Sequence, residues 1–286
     1  MENDKIKELV KFLGQQALSN KPYSRSIEET GEGMDPKDYR KEKYEDDRDI
    51  KPVLGAFFLI PSSLDQDAIY DFMVEEQRSK IRDIKYFIVE NEKSARKTIK
   101  KLKLSTPIQE LTITPHNKDT PNETLLSYLN PLAQGKNIGL LSDAGVPCVA
   151  DPGSKIVKLA HKNGIKVVPL VGPSSIILSL MASGFNGQNF RFHGYVPINY
   201  IEKKKKLEGM QKDILGNYET QIFIETPYRN NQLLDNLLAI LNEKINLCVA
   251  INLTTDEEEI ISKNIGEWKR NNLPDLSKKL CIYLLN

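Results

Sequence analysis

From residue 53 onward, short apolar runs alternate with longer segments in which apolar side chains recur at helical spacing. In the first part of this pattern, the apolar runs predict strands at 54–60, 86–89, 108–113, 137–141 and 166–170. The amphipathic segments predict helices at 68–79, 92–102, 122–133 and 154–163. Alternation of strands and helices is typical of a parallel sheet with right-handed crossovers, so we expect one such sheet here.

A second set of elements follows a break at Gly172 and Pro173, where a predicted strand ends and a helix at 174–183 begins. This set has predicted strands at 190–195, 221–225, 247–252 and 279–284, with helices at 202–215, 230–241 and 266–271. We therefore predict an α/β protein with domains at 52–171 and 172–286 and a ligand cleft between them.

The first 51 residues have a different pattern. Apolar residues between 5 and 18 approximate helical spacing, and 19–51 mixes charges of both signs with few aliphatic side chains. We predict an N-terminal extension, 1–51, that consists of one helix and a flexible tether. The chain starts with acidic residues and lacks the apolar core of a targeting segment, which favours a cytoplasmic protein.

The composition limits the classes of function. With 40% hydrophobic residues, 28% charged residues and no apolar run long enough for a membrane span, the chain has the composition of a soluble globular protein. A net charge of +1 excludes a generally basic protein that coats nucleic acid, although a local patch could contact phosphates. The three cysteines are scattered and are predicted to be free thiols, and the three histidines are far apart, so we predict no metal site.

Small-residue loops follow several predicted strands, at 61–63, 90–92, 143–147, 172–175 and 225–229. Each loop lies at the carboxyl end of its strand, the edge at which open α/β sheets bind ligands. Glycine lets the backbone approach a ligand closely, and Ser174 and Ser175 offer hydroxyls at a helix start. Each loop alone is compatible with an ordinary turn or helix cap, but their order along the chain indicates a ligand site.

The same loops carry a family resemblance. The runs at 141–147 (LSDAGVP), 151–153 (DPG), 168–175 (VPLVGPSS), 192–197 (FHGYVP) and 225–229 (ETPYR) resemble the tetrapyrrole methylase superfamily in sequence and order. Within it, they are most similar to the ribosomal RNA small subunit methyltransferase I group. The resemblance implies two α/β domains, with a mainly parallel sheet in the first and a mixed sheet in the second. It also implies a homodimer that holds S-adenosylmethionine in the cleft between the domains.

The resemblance further implies which residues hold the cofactor. In the first domain they are Pro61 after the first strand, and Asp143, Gly145, Val146 and Pro147 beneath the methionine end. Val149, Ser174 and Ser175 are expected to line the same pocket. In the second domain, the residues expected around the adenosine are Ile224, Ala250, Ile251 and Leu280.

Two loops depart from the pattern of the RNA-modifying members of the family. The first loop reads IPSSL at 60–64 and lacks the Gly and Asn of the family's TPIGNL. The second reads ENEK at 90–93 and lacks the Arg of the family's EDTR. The chain also ends at its last predicted strand, without the helical extension of longer members. Substrate identity is therefore expected to depend on the loops at Pro61 and Glu90.

The expected chemistry follows from a sulfonium cofactor, which already carries a good leaving group, so alignment of the acceptor supplies much of the acceleration. If the acceptor is a ribose hydroxyl, a carboxylate in the cleft must take its proton, and the candidates are Glu90, Asp143 and Glu225. Each has a structural alternative, since Asp143 could cap a turn, Glu225 could pair with Arg229, and Glu90 could end a strand in solvent.

We therefore expect a methyltransferase that acts on ribosomal RNA of the small subunit, at a ribose 2′-hydroxyl. Two alternatives stay open. One is a methyltransferase of the same fold that acts on a small molecule such as a tetrapyrrole precursor, and the other is a cofactor-binding protein without catalysis. Four consecutive lysines at 203–206 favour a solvated helix surface over an RNA contact.

Overall fold

The computed structural model describes residues 54–65, 72–117, 119–121 and 124–286. The predicted extension at 1–51 lies outside these residues. The described chain contains two five-stranded sheets, and it passes from the first to the second between Pro169 and Ser175.

The strands of the first sheet are β1 (Phe57–Ile60), β2 (Tyr86–Val89), β3 (Thr112–Pro115), β4 (Ile138–Leu141) and β5 (Val167–Pro169). Its helices are α1 (Glu75–Ile81), α2 (Glu92–Leu102), α3 (Asn130–Ala133) and α4 (Ser154–Lys162). The sheet is fully parallel, in the order β3-β2-β4-β1-β5. The connections leave the neighbouring strands β1 and β4 toward opposite edges of the sheet, which opens a crevice at their carboxyl ends.

Both faces of the first sheet are buried, which explains why its strands read as continuous apolar runs. On one face, Phe58, Ile60 and Phe87 form a core with residues of α1 and α2. On the other face, Ile138 and Leu140 form a core with residues of α3 and α4. The helices thus cover the sheet and leave its carboxyl edge for the loops.

The second sheet contains β6 (Phe190–Tyr195), β7 (Thr220–Ile224), β8 (Asn246–Ile251), β9 (Glu259–Asn264) and β10 (Cys281–Leu285). Its helices are α5 (Ser175–Ser183), α6 (Tyr200–Asn217), α7 (Asn230–Ile240) and α8 (Ile265–Arg270). The strand order is β6-β7-β10-β8-β9, with β6 and β7 parallel and the other pairs antiparallel. The prediction of one parallel and one mixed sheet is confirmed.

The two faces of the second sheet have different neighbours. One face carries a large core with residues of α6 and α7, in which the rings of Phe223 and Tyr283 stack 5.6 Å apart. The other face carries Ala250 and Ile282, which pack with α5 and with Leu64 from the loop after β1. This second face is therefore turned toward the first sheet.

Two predicted elements are wrong. The strand predicted at 108–113 is replaced by a 3₁₀ turn at Ile108–Glu110 that follows Pro107, and β3 begins only at Thr112. In place of one helix at 122–133, the described residues form a 3₁₀ turn at Ser127–Leu129 and the short α3. Pro131 lies at the start of α3 and lacks the amide hydrogen that a continuous helix needs there.

The other predicted elements are confirmed to within a few residues, apart from the helix predicted at 68–79. Residues 66–71 lie outside the described part, 72–74 are not helical, and α1 covers the predicted helix from Glu75 onward. The edge strand β9 was missed, because its sequence EIISKN is half-exposed and lacks a regular apolar alternation. Among the described helices, none combines the length and the hydropathy that a membrane crossing requires.

Candidate functional site

The loops after β1 and β4 are joined to each other at the crevice. Ser62 and Gly145 exchange two backbone hydrogen bonds, with N···O distances of 2.9 and 3.1 Å, and the buried Ser62 hydroxyl donates to the carbonyl of Ser142. Gly145 has φ +75°, a conformation that residues with a Cβ rarely adopt. The two loops therefore form one fixed edge above the sheet.

The loop after β5 packs against this edge. A Cβ placed on Gly172 would lie 2.2 Å from Cγ of Pro61, so even a methyl side chain would require the loop after β1 to shift. Three strand-end loops are thus in direct contact, as expected if they build one ligand site.

A cavity of about 260 Å³, here called the interdomain cavity, lies between the two sheets. The loops after β1 and β4 contribute Leu64 and Ala144, and α5 contributes Ser175. The second sheet and its loops contribute Tyr195, Ile224, Glu225, Pro227, Ala250, Leu253, Leu280, Cys281 and Ile282. A mainly apolar lining with few polar groups is typical of a site for an organic ligand.

Part of the predicted cofactor set lines the interdomain cavity. Ser175, Ile224, Ala250 and Leu280 are lining residues, and so is the candidate base Glu225. These residues come from separate elements of the second half, and the sheet topology brings them together.

Other predicted residues lie beside the interdomain cavity or away from it. Val146 and Pro147 continue the β4 loop, Ser174 is the N-cap residue of α5, and Val149 is 48% exposed. Ile251 is fully buried in the core on the opposite face of the second sheet. It cannot line the cavity together with its neighbour, because successive side chains of a strand point to opposite faces.

Three hydrogen-bond donors hold the carboxylate of Glu225. Its Oε1 accepts from Nε and Nη2 of Arg229 at 3.0 and 2.6 Å, and from the backbone N of Thr226 at 2.7 Å. Its Oε2 is buried and has no hydrogen-bond partner among the described residues. The carboxylate is therefore anchored through one oxygen, and the other oxygen is left for a donor from a ligand.

A second group of carboxylates lies at the carboxyl ends of β2 and β4. Asp143 accepts a hydrogen bond of 2.7 Å from the hydroxyl of Ser94, and the side chain of Asp151 accepts one from Ser142. Partial burial, and then the charges of Asp151 and Asp143, raise the pKa of Glu90. A carboxylate whose proton affinity is raised in this way is suited to proton transfer.

Glu90 and Asp151 border a second cavity, of about 510 Å³, here called the acidic pocket. Its lining residues are Glu90, His116, Asn117, Asp119, Thr120, Ala150, Asp151, Pro152, Gly153, Ser154 and Lys155. The β4 loop contributes to both cavities, since Ala144 lines the interdomain cavity and residues 150–153 line the acidic pocket.

Sequence reasoning missed several of these residues. Ala144 and Tyr195 lie inside runs that carry the family resemblance, so neighbouring residues indicated them, and Leu64 lies in the loop at 60–64 that departs from the family pattern. Asp151 belongs to the DPG run but was not assigned a role. His116 had only one available signal, its position directly after β3 at the ligand edge of the sheet.

Burial of Asp151 predicts an effect on stability. Burial raises the pKa of this carboxyl, the hydrogen bond from Ser142 lowers it, and the charge of Asp143 raises it, with a net upward direction. Because the folded-state pKa is raised, the protonated form is favoured by folding, and the ionised form opposes folding at neutral pH.

We expect Asp151→Asn to raise Tm at pH 7 and the gain to disappear below a pH of about 4, where Asp151 is protonated even when unfolded. Thermal unfolding at several pH values measures this difference. Asp83→Asn is the matched control, because Asp83 is exposed. A lower Tm for Asp151→Asn at pH 7 would contradict the assignment.

The cysteines are free thiols, as predicted. Cys281 lines the interdomain cavity, but burial raises its pKa to about 12, so it stays protonated at neutral pH. A protonated thiol is a poor nucleophile, and the site therefore contains no activated cysteine among the described lining residues.

The lysine run at 203–206 is only partly a solvated surface. Lys203 is 3% exposed, whereas Lys204 and Lys205 are exposed on α6. The Nζ of Lys204 lies 3.9 Å from Oε1 of Glu208. The expectation of a solvated run is wrong for Lys203. Consecutive helical residues are spaced around the axis, so one of them faces the core.

Comparison with protein families gives a match at residues 81–269 to the family described as tetrapyrrole (corrin/porphyrin) methylases. A ribosomal RNA small subunit methyltransferase I of Bacillus subtilis is 31% identical over 217 residues, which are 76% of this chain and 70% of that protein. The protein of the same name in Leptospira biflexa is 31% identical over 72% of this chain and 81% of its own length. With the Haemophilus influenzae protein of that name, the match covers 53% of the relative at 35% identity.

Solved structures share the fold at much lower identity. The methyltransferase CobJ matches with a TM-score of 0.53 and 16% identity over 81% of this chain and 94% of its own. Cobalt precorrin-4 methyltransferase matches with a TM-score of 0.51 and 12% identity over the same shares. At these identities, the solved structures show only that the arrangement of the two sheets is shared.

Proposed function

The chain belongs to the tetrapyrrole (corrin/porphyrin) methylase family, and on this premise we propose that it transfers a methyl group from S-adenosylmethionine to a ribose 2′-hydroxyl of ribosomal RNA. The observation that carries the proposal is the interdomain cavity between the joined strand-end loops and the second sheet. The enzyme class and the cofactor follow from the family. The acceptor and the position of methylation are the proposed part.

The residues of the interdomain cavity fit S-adenosylmethionine. The small side chains of Ala144 and Ala250 and the aliphatic Ile224 and Leu280 suit the flat adenine ring. The free Oε2 of Glu225 would accept a hydrogen bond from a ribose hydroxyl or an amine of the cofactor. We propose that these residues hold the adenosine end and that the β4 loop holds the methionine end.

S-adenosylmethionine supplies an activated methyl group on a sulfonium when bound. With the cofactor bound, the acceptor oxygen would form a bond to its methyl carbon as the carbon–sulfur bond broke and the electron pair returned to sulfur. Glu90 takes the proton of the acceptor hydroxyl, and the remaining residues align the acceptor on the far side of the methyl group.

Glu90 is the preferred base among the three candidate carboxylates. Its pKa is raised, and no hydrogen bond from a described residue is directed at its carboxylate. The carboxylate of Asp143 accepts a hydrogen bond from Ser94, and that of Glu225 is bound by the guanidinium of Arg229, so both carboxylates already have partners within the protein. We therefore assign Glu90 to proton transfer, Asp143 to the support of the β4 loop, and Glu225 to the cofactor.

The names of several relatives support ribosomal RNA as the acceptor. The alternative acceptor, a tetrapyrrole precursor, carries several carboxylates. The acidic pocket opposes such a ligand because Glu90, Asp119 and Asp151 all line it. The other alternative, a cofactor-binding protein without catalysis, differs from the proposal only in turnover.

Calorimetry with S-adenosylmethionine, followed by transfer of a labelled methyl group to small ribosomal subunits, tests the proposal. We expect saturable binding of the cofactor and label recovered at one ribose 2′-oxygen of the ribosomal RNA. Cofactor binding without transfer to subunits or to naked RNA would contradict the acceptor. No binding of the cofactor at all would contradict the interdomain cavity as its site.

We also propose that the protein acts as a homodimer, as the family resemblance implies, and that it acts in the cytoplasm. Light scattering on the purified full-length chain tests the dimer, and a monomer at working concentration would contradict it.

A further inference from the structure

The acidic pocket contains a buried histidine with an unsatisfied ring nitrogen. His116 directly follows β3, is 6% exposed, and lines the pocket. Its backbone N donates to the carbonyl of Val89 at 2.7 Å, and its ring makes an edge contact with Tyr128 at 5.9 Å between centroids. Its Nδ1 has no hydrogen-bond partner among the described residues. A buried polar atom without a partner is costly unless a ligand completes it.

The charge state of His116 restricts the ligand. Burial lowers the pKa of its imidazole, and the charge of Lys155 lowers it further. The ring is therefore neutral at physiological pH, and it offers one donor and one acceptor nitrogen. A neutral imidazole recognises a hydrogen-bonding group and does not require an anion.

The residues beside His116 add further polar groups. The Oδ1 of Asn117 accepts from the backbone N of Asp119 and from the hydroxyl of Thr120 at 3.0 and 3.3 Å. These bonds link Asn117 to Asp119 and Thr120 and orient its amide so that the remaining polar group is the NH₂ donor. The pocket thus combines hydrogen-bond donors and acceptors.

The charges around the pocket exclude an anionic ligand. Glu90, Asp119 and Asp151 line it, and Lys155 is the basic residue among the described lining residues. A phosphate or a carboxylate would be repelled, whereas a neutral heterocycle with donors and acceptors on its edge would be bound. A nucleobase has this chemistry, and carboxylate and amide side chains are its usual partners.

We propose that the acidic pocket is the acceptor subsite, in which His116, Asn117 and Asp151 bind the base of the nucleotide to be methylated. The inference rests on the proposed function, because it takes RNA as the acceptor. The β4 loop lines both this subsite and the interdomain cavity, and Glu90 lines the subsite at the end of β2, the strand next to β4. The subsite holds an unstacked base, while the phosphates of the RNA remain in solvent outside the pocket.

The histidine rings report directly on this subsite. The chain has three histidines, of which His161 is exposed on α4 and His193 bonds Gln221 in the second sheet at 2.6 Å. We would titrate the full-length protein, saturated with S-adenosylhomocysteine, with each of the four ribonucleosides and with ribose, and follow the imidazole resonances by NMR. We expect a saturable shift of the His116 signals with at least one nucleoside and none with ribose. An unchanged His116 signal with all four nucleosides, or an equal response to ribose, would overturn the subsite.

A kinetic comparison gives a second readout. We expect His116→Gln to raise KM for the RNA acceptor about tenfold, the loss of roughly one good hydrogen bond, with unchanged cofactor affinity. His161→Gln is the matched control. Equal acceptor KM in both variants would contradict the subsite.

Failure of the subsite and failure of the proposed function can be told apart. If the wild-type protein methylates ribosomal RNA but His116 responds to no nucleoside, the subsite is wrong and the function stands. If His116 responds to a nucleoside but no ribosomal RNA is methylated, the function is wrong and the base-binding site stands.

Discussion

Glu90→Gln is expected to lower kcat for methyl transfer by about 10²- to 10⁴-fold, the usual contribution of a positioned general base. The substitution keeps the size of the side chain and removes its ability to take a proton. Because Glu90 lies outside the lining of the interdomain cavity, the affinity for S-adenosylmethionine should change little. Single-turnover transfer and calorimetry on the same preparation measure the two quantities separately.

The pH dependence gives an independent check on Glu90. Its raised pKa means that the carboxylate becomes protonated at a higher pH than an ordinary glutamate does. Since the base acts only when deprotonated, kcat/KM of the wild type should fall as the pH drops through this raised pKa and stay level above it. In Glu90→Gln this acidic limb should be absent.

Glu92→Gln is the matched control for this prediction. Glu92 lies two residues away in the first turn of α2, is exposed, and pairs with Arg96 at 3.6 Å. It should transfer methyl groups at the wild-type rate. If Asp143→Asn or Glu225→Gln removed turnover with intact cofactor binding while Glu90→Gln stayed active, the base would be one of those residues instead.

Much of the fold was predictable because the apolar pattern is unambiguous where both faces of a sheet are buried. The runs that form β2 and β4 have no competing interpretation, and Asn91 marks the start of α2 through its side-chain cap. The pattern failed where a proline changed the backbone, as at Pro131, and at the polar edge strand β9. Hydrophobic periodicity gives no information about local effects of this kind.

Only the part of the site that is built from loops and strand ends could be predicted from the sequence. Ala250 and Ile251 were expected together, yet strand alternation sends their side chains to opposite faces. The acidic pocket could not be predicted, because its members come from separate strands whose order is set by the crossovers. His116 and Asp151 are far apart in sequence and meet only because β3 and β4 flank β2.

Gly172→Ala is expected to weaken S-adenosylmethionine binding by about tenfold and to lower the free energy of unfolding by about 1–3 kcal/mol. The added Cβ would lie 2.2 Å from Cγ and 2.3 Å from Cβ of Pro61, and the ring of a proline cannot rotate away. The loop after β1 must then shift. Since Ser62 in that loop is bonded to Gly145, the shift reaches the edge of the interdomain cavity.

Gly187→Ala makes the same chemical change where no atom lies within 4 Å of the new Cβ. It should leave cofactor affinity unchanged and stability nearly so. Calorimetric Kd values and denaturant unfolding of the two variants therefore separate the contact with Pro61 from the general effect of replacing glycine. Wild-type affinity in Gly172→Ala would mean that the loop after β1 moves without consequence for the cofactor, and Pro61 would then have no part in holding it.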